Sequence, residues 1–405
     1  MCLRLSKKIF AAIIASCFCS SVTAVYANPT PLSTSGNVEF REPAIATIGP
    51  YVETAELGSP SVVSNAFGEA VAISGGRAVV SSPGEGNVAI YDLDTSGAWV
   101  SDTVLAIDGR VSAVAIEGDT VVVGTEPAVS FRAGDVAVGM VSIYVHSASG
   151  WTKQQDLPDP AGLRNDEFGF DVSVSGNSIL VGAPDASEKG LAYVFIRKGT
   201  KWTLQTQLSA SDGAADDWFG ERVKIDGDNA VVGDPGHPGA AGAAYVFTRV
   251  GSAWSQRKKF SGDSAGDNFG SAVAIDGNTL SIGSPGSNGD SGEIYVYTGS
   301  GSSWSLQETL GSPVPVEDGQ FGTSVELSGN RMVIGEPGNA AAHVFIRSGN
   351  KWSLRAELGD SVDSDFGDAV ALAGTTILIG ARSDQSSGRA YIFDEKDEIF
   401  ANGFN

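Results

Sequence analysis

The sequence predicts an all-β fold: a seven-bladed β-propeller of four-stranded antiparallel blades. Three observations predict it. A Phe-Gly pair followed by an alternating apolar stretch recurs six times, at Phe67, Phe168, Phe219, Phe269, Phe321 and Phe366. Six tryptophans, Trp99, Trp151, Trp202, Trp254, Trp304 and Trp352, stand 48 to 52 residues apart, each followed six positions later by Leu or Phe. The composition, with 52 glycines in 405 residues, 42% hydrophobic and 18% charged, suits a turn-rich chain that buries a core. A repeat of about 50 residues is the period of a propeller blade.

Taken from the N-terminus, residues 1–27 read as an export signal. Arg4, Lys7 and Lys8 precede an apolar stretch, and Val25-Tyr26-Ala27 is a small-residue cleavage site. The alternative is lipoprotein processing at Cys17, within Ile14-Ala15-Ser16-Cys17. Residues 28–47 form a short leader, 48–394 the propeller and 395–405 a tail. All three cysteines, Cys2, Cys17 and Cys19, fall in the signal, so cleavage after Ala27 leaves no disulfide, thiolate site or Cys nucleophile. Cleavage also removes three cations and no anion, taking the charge from −22 to −25 (23 basic against 48 acidic residues). Such a field repels nucleic acid, and no transmembrane segment remains in the mature chain.

Each repeat parses into four strands. The first alternates after Phe-Gly, as in Val273 and Ile275, with the period of two that marks a strand. Turns such as Asp276-Gly277-Asn278 suit a tight hairpin. The second strand stops at Gly-x-Pro, as in Gly182-Ala183-Pro184, because proline cannot donate to a ladder. A third strand of the type LAYVFIR follows, and the Trp strand is outermost. One copy is damaged: Arg110-Val111 replaces Phe-Gly, and the later loop TEPAVSFRAGDVAVGMV is the longest of its kind. Loops tolerate insertion cheaply, so drift is the expectation there. Seven sets of three strands are matched by only six Trp strands. Tyr51 to Leu57 repeats the aromatic-to-Leu spacing, so this N-terminal strand is expected to pair beside Ala390 to Phe393 and close the ring. The competitor is the tail around Phe400, which Asn402-Gly403 makes a poor strand.

Over about residues 48 to 393 these units resemble the FG-GAP repeat family, which includes the propeller head of integrin α subunits. The name is spelled by Phe168-Gly169 with Gly182-Ala183-Pro184, and the closest likeness is to bacterial FG-GAP proteins with Tyr-Val-Phe and Trp in each repeat. The resemblance implies an extracellular binding or adhesion role and, in integrins, calcium loops between the first two strands. Here that segment is contracted to turns such as SVSGNS (173–178), so no cofactor is expected, with calcium at the acidic loops the less favoured alternative. Acidic residues do precede the Phe-Gly pairs, and Asp267, Asp318 and Asp365 are the residual metal candidates. The expectation is that such residues cap turn amides.

For function the expectation is non-covalent recognition of a protein or glycan outside a bacterial cell, secreted or at its surface, through loops on one face. A polysaccharide-acting hydrolase or lyase, and a purely architectural role, are the alternatives. Catalytic motifs are lacking: His146, His237 and His343 belong to different repeats without HExxH or GxSxG spacing. His343 stands where other repeats have Tyr, and is expected to pack. The repeated tryptophans are expected to pack their own blades. Trp218, outside the pattern and beside Asp216 and Asp217, is the leading ligand contact, with Arg132 and Asp135 of the damaged repeat as further candidates.

Overall fold

The computed structural model describes residues 45–59, 66–126, 139–162, 166–236, 241–360, 365–383 and 388–396. The signal with Cys17, the tail beyond Lys396, His237, Arg132 and Asp135 lie outside the described residues. Everything below concerns the unit Pro43–Asn405.

Seven antiparallel sheets follow one another in chain order. Blades 1 to 6 occupy residues 71–106, 110–158, 172–208, 222–261, 272–311 and 324–360, with strands in the order of the sequence. Blade 7 supplies three strands from 366–395, and its outer strand is the N-terminal β2 (Tyr51–Gly58). Tyr51 pairs with Glu395 and Leu57 with Ala390, so the ring is closed as the spacing predicted. Side chains reinforce the clasp. Thr54 donates to Asp394 (2.8 Å), Arg389 pairs with Glu56 (2.8 Å), and Arg331 of blade 6 bonds both the Tyr51 hydroxyl and Glu395. Sequence periodicity did not foretell β1 (Ile45–Ile48), which pairs with the outer strand of blade 6 as a fifth strand.

Alternation puts one apolar row of each sheet against the next blade, and the core is a ring of clusters shared between neighbours. The six Phe-Gly phenylalanines are at most 1% exposed. Most meet a third-strand aromatic edge to face, as Phe219 does Tyr245 at 5.5 Å. His343 takes the tyrosine's place beneath Phe321, with ring centroids 5.4 Å apart, and is fully buried. The glycine of each pair locks the ring. At six of the seven junctions its carbonyl lies where a Cβ would stand on a second-strand residue of the preceding blade, and that residue is always glycine: Gly124, Gly182, Gly233, Gly283, Gly335 or Gly380. The junction of blades 1 and 2 is the exception. There Ser81 stands in the glycine position opposite the blade that lacks Phe-Gly, and buried Ile107 and Val111 fill that core beside Tyr144.

Candidate functional site

First strands line the central channel, and chain direction decides what each face carries. The turns joining strands 1 to 2 and 3 to 4 open on one face. The loops joining strands 2 to 3, and each outer strand to the next Phe-Gly, open on the other. We call these the turn face and the loop face.

On the turn face the polar groups bind the ring together. The last side chain of one first strand accepts the turn amide of the next blade: Asp226 from Gly277 (2.7 Å), Ser175 from Gly227 (3.1 Å), and Glu117 from Gly176. Arginines near the end of the third strand extend the pattern. Arg249 bonds Asp228 at 2.7 Å and Ser178 of the preceding blade at 2.9 Å, and lies 5.1 Å over Trp254. The Trp254 indole nitrogen donates to Gln205 of the preceding blade (2.9 Å). Trp202 and Trp151 do likewise to Gln154 and Asp102. These three tryptophans therefore staple neighbouring blades as well as packing them.

The channel is a cavity of about 580 Å³, within the range of small-molecule sites. Its charges are paired internally. Lys224 of blade 4 meets Glu326 of blade 6 across it at 2.5 Å. At the loop-face mouth Arg110 pairs with Glu69 (2.5 Å) and Glu126 (2.8 Å), and Arg382 with Asp368 (2.8 Å) and Asp365 (3.3 Å). Arg110, read in the sequence only as a lost Phe, thus becomes a mouth residue. Burial raises Asp171, Asp368 and Glu221 above the usual carboxylate range. Burial, with Asp185, Glu126 and Glu221 nearby, pushes Glu167 up to about 7.

The loop face holds the remaining sequence candidates, and their roles differ. Asp217 is buried and accepts the Ala214 amide (2.6 Å), while Asp267 accepts that of Ser264 (2.8 Å). Asp365 is engaged by Arg382 and Ser383. Asp318 shapes its loop with φ of 60°. Asp267, Asp318 and Asp365 belong to three separate junctions. Among the described residues no three His, Cys, Asp or Glu side chains gather as metal ligands. Beneath the loops burial and the Asp217 carboxylate push Asp234 up to about 7; burial and Asp159 push Asp166 up to about 6. His343 bonds Glu336 at 2.6 Å, and Ser312 donates to the same carboxylate (2.9 Å), all of them buried.

Trp218 is placed differently from the other six tryptophans. It is 48% exposed at the junction of blades 3 and 4. Its amide donates to Asp234 (3.1 Å), and the indole rests on Gly236, where a Cβ would sit 3.2 Å from the ring. The exposed Asp216 is beside it, its amide bonded to the Glu188 carbonyl of blade 3 at 2.9 Å. Structure thus brings Trp218 and Asp216 together at the surface and puts Asp217 below them. Trp218 needed only its departure from the repeat to be found. The mouth arginines gave no sequence signal, because their partners stand 14 to 41 residues away and one of them, Glu69, belongs to another blade.

A family model described as FG-GAP repeat matches residues 151–195, 202–247, 254–297 and 354–393. Those four stretches are FG-GAP repeats, set in a seven-bladed propeller. No curated protein matches it. A crystal structure of a protein from Lactobacillus plantarum superposes with a TM-score of 0.57 at 15% identity, covering 77% of this chain and 88% of that one. That likeness carries the fold alone. In this FG-GAP propeller no described helix is long and apolar enough to cross a membrane.

Proposed function

We propose that the protein is an exported, non-enzymatic recognition module that engages an extracellular protein or glycan with its loop face. The observation that carries the reading is Trp218: a large aromatic left half-open on a rigid ring whose other tryptophans are spent on packing. Repeat folds vary their loops while the scaffold holds still, and the loop face is where this chain departs from its repeat. The test is an array of glycans and matrix proteins probed with the folded chain. Binding abolished in Trp218→Ala with an unchanged melt supports the reading, and binding indifferent to both Trp218→Ala and Asp216→Ala removes it.

A polysaccharide-cleaving enzyme is the second reading, favoured by Glu167. That carboxyl is held near neutral beside the channel mouth, as a general acid would be. Glycan turnover abolished by Glu167→Gln would replace the first reading with this one.

A further inference from the structure

We propose that Trp218 and the two loops beside it form a stacking platform for an uncharged hexopyranose, a sugar unit of a larger glycan; this rests on the recognition reading above. A pyranose presents an apolar C–H face and a rim of hydroxyls. It therefore asks for a fixed aromatic plane bordered by hydrogen-bond acceptors, and four features of the Trp218 surface answer that demand.

The plane is fixed. Gly236 packs beneath the indole, where a Cβ would come within 3.2 Å of the ring. The main chain is pinned on both sides of the ring, by the Trp218 amide on Asp234 (3.1 Å) and by the Glu221 amide on the Trp218 carbonyl (3.0 Å). A platform held before binding loses little rotamer freedom on contact.

The neighbouring loop is polar and tied to the Trp218 loop. The blade 3 loop carries exposed Asp185, Ser187 and Glu188, and the Asp216 amide ties the Trp218 loop to it at Glu188. Lys189 adds a second tie, donating to the Gly213 carbonyl at 3.0 Å. Ser187, Glu188 and Asp216 all have φ between 57° and 65°, the left-handed region that costs non-glycine residues energy. Two strained loops cross-tied beside one half-open indole are a built surface rather than a slack one.

The apolar area is confined. Described large apolar side chains that are exposed lie elsewhere: Leu93 and Val250 on the turn face, Val100, Val104, Leu204, Leu306 and Leu354 on outer strands, and Val314 at the junction of blades 5 and 6. A protein interface wants a wider apolar centre than one ring; a sugar wants one ring.

Charge then selects among sugars. Exposed Glu188 and Asp216 belong to the two loops tied together beside Trp218, and the chain carries a net charge of −22. Uronates and sulfated sugars are repelled by those carboxylates, whereas hydroxyls of a neutral ring can donate to them.

The experiment is a fluorescence titration of the folded chain with the methyl glycosides of glucose, galactose and mannose and their oligosaccharides, with glucuronate as the acidic control. A saturable change is expected with at least one neutral sugar and none with glucuronate. Trp218→Ala should weaken that binding by about tenfold or more while keeping its melt, and Trp218→Phe should retain part of it. Saturable binding that survives Trp218→Ala, or glucuronate binding as well as the neutral sugars, overturns the proposal. If no glycoside binds but a protein partner is lost in Trp218→Ala, the sugar proposal falls and the recognition reading stands. If no partner of either kind depends on Trp218, both fall.

Discussion

The two faces of the ring solve the same backbone problem with different residues. All seven turns joining first to second strands put a glycine, from Gly75 to Gly374, at φ between 55° and 64°. On the loop face eleven described non-glycine residues, among them Glu167, Ser187, Glu188, Asp216 and Asn268, hold positive φ. The turn face is uniform and relaxed, and its polar groups are consumed in blade-to-blade bonds. The loop face accepts strain, raised carboxyls and an exposed tryptophan. Strain that persists where glycine was available marks surfaces kept for something other than folding. The comparison teaches that one face is scaffold and the other is where specificity resides.

The comparison is sharpest within blade 3. Gly182, at the loop-face end of its second strand, faces the Gly220 carbonyl, whereas Gly176, in its turn, has open space around its Cα. Gly182→Ala should therefore destabilise by about 3 kcal/mol or more, since backbone must yield. Gly176→Ala should cost only about 1 kcal/mol, the price of positive φ alone. Denaturant midpoints of the two variants decide it, and equal costs would remove the interlock from the account.

A pH titration probes the loop face next. An acid whose folded pKa is raised holds more protons in the folded chain than in the unfolded one, at every pH between the two values. With Asp234 and Glu167 pushed up to about 7, stability should fall as pH rises from the ordinary carboxylate range towards 7. The buried Asp234 alone supplies a slope of about 1 kcal/mol per pH unit, which Asp234→Asn should flatten. Urea unfolding at a series of pH values measures it; a profile that rises with pH would reverse the assignment.

Smaller still is the loss of one turn-face lock. Asp226→Ala removes the bond to Gly277 of the next blade and should cost about 1 kcal/mol without altering any binding. A binding defect in that variant would blur the division between the faces.

How far the sequence foretold this follows from the same division. Blade number, strand order and the closing strand were legible because each repeat restates them, and His343 was placed by its alignment with tyrosine. Ser81 departs from the Gly-x-Pro of other repeats, but that it faces the blade lacking Phe-Gly shows only once the ring is assembled. By contrast β1 carries no aromatic-to-Leu spacing, and nothing in Ile45–Ile48 points to blade 6. Lys224 and Glu326 stand 102 residues apart and meet only because the ring brings blades 4 and 6 across one channel. Trp218 was legible as an irregularity; its support on Gly236 and its ties to blade 3 were not, since those come from other loops.

Blade 4 offers the most direct test of the central claim, because it exposes a large apolar side chain on each face: Trp218 at 48% and Val250 at 67%. Both positions are surface sites, so Trp218→Ala and Val250→Ala should each change stability by only about 0.5 kcal/mol. Binding of the two variants to the same glycan and protein array is the measurement. The account predicts that Trp218→Ala loses the partner and Val250→Ala keeps it. A partner kept by Trp218→Ala and lost by Val250→Ala would place recognition on the turn face and contradict the account.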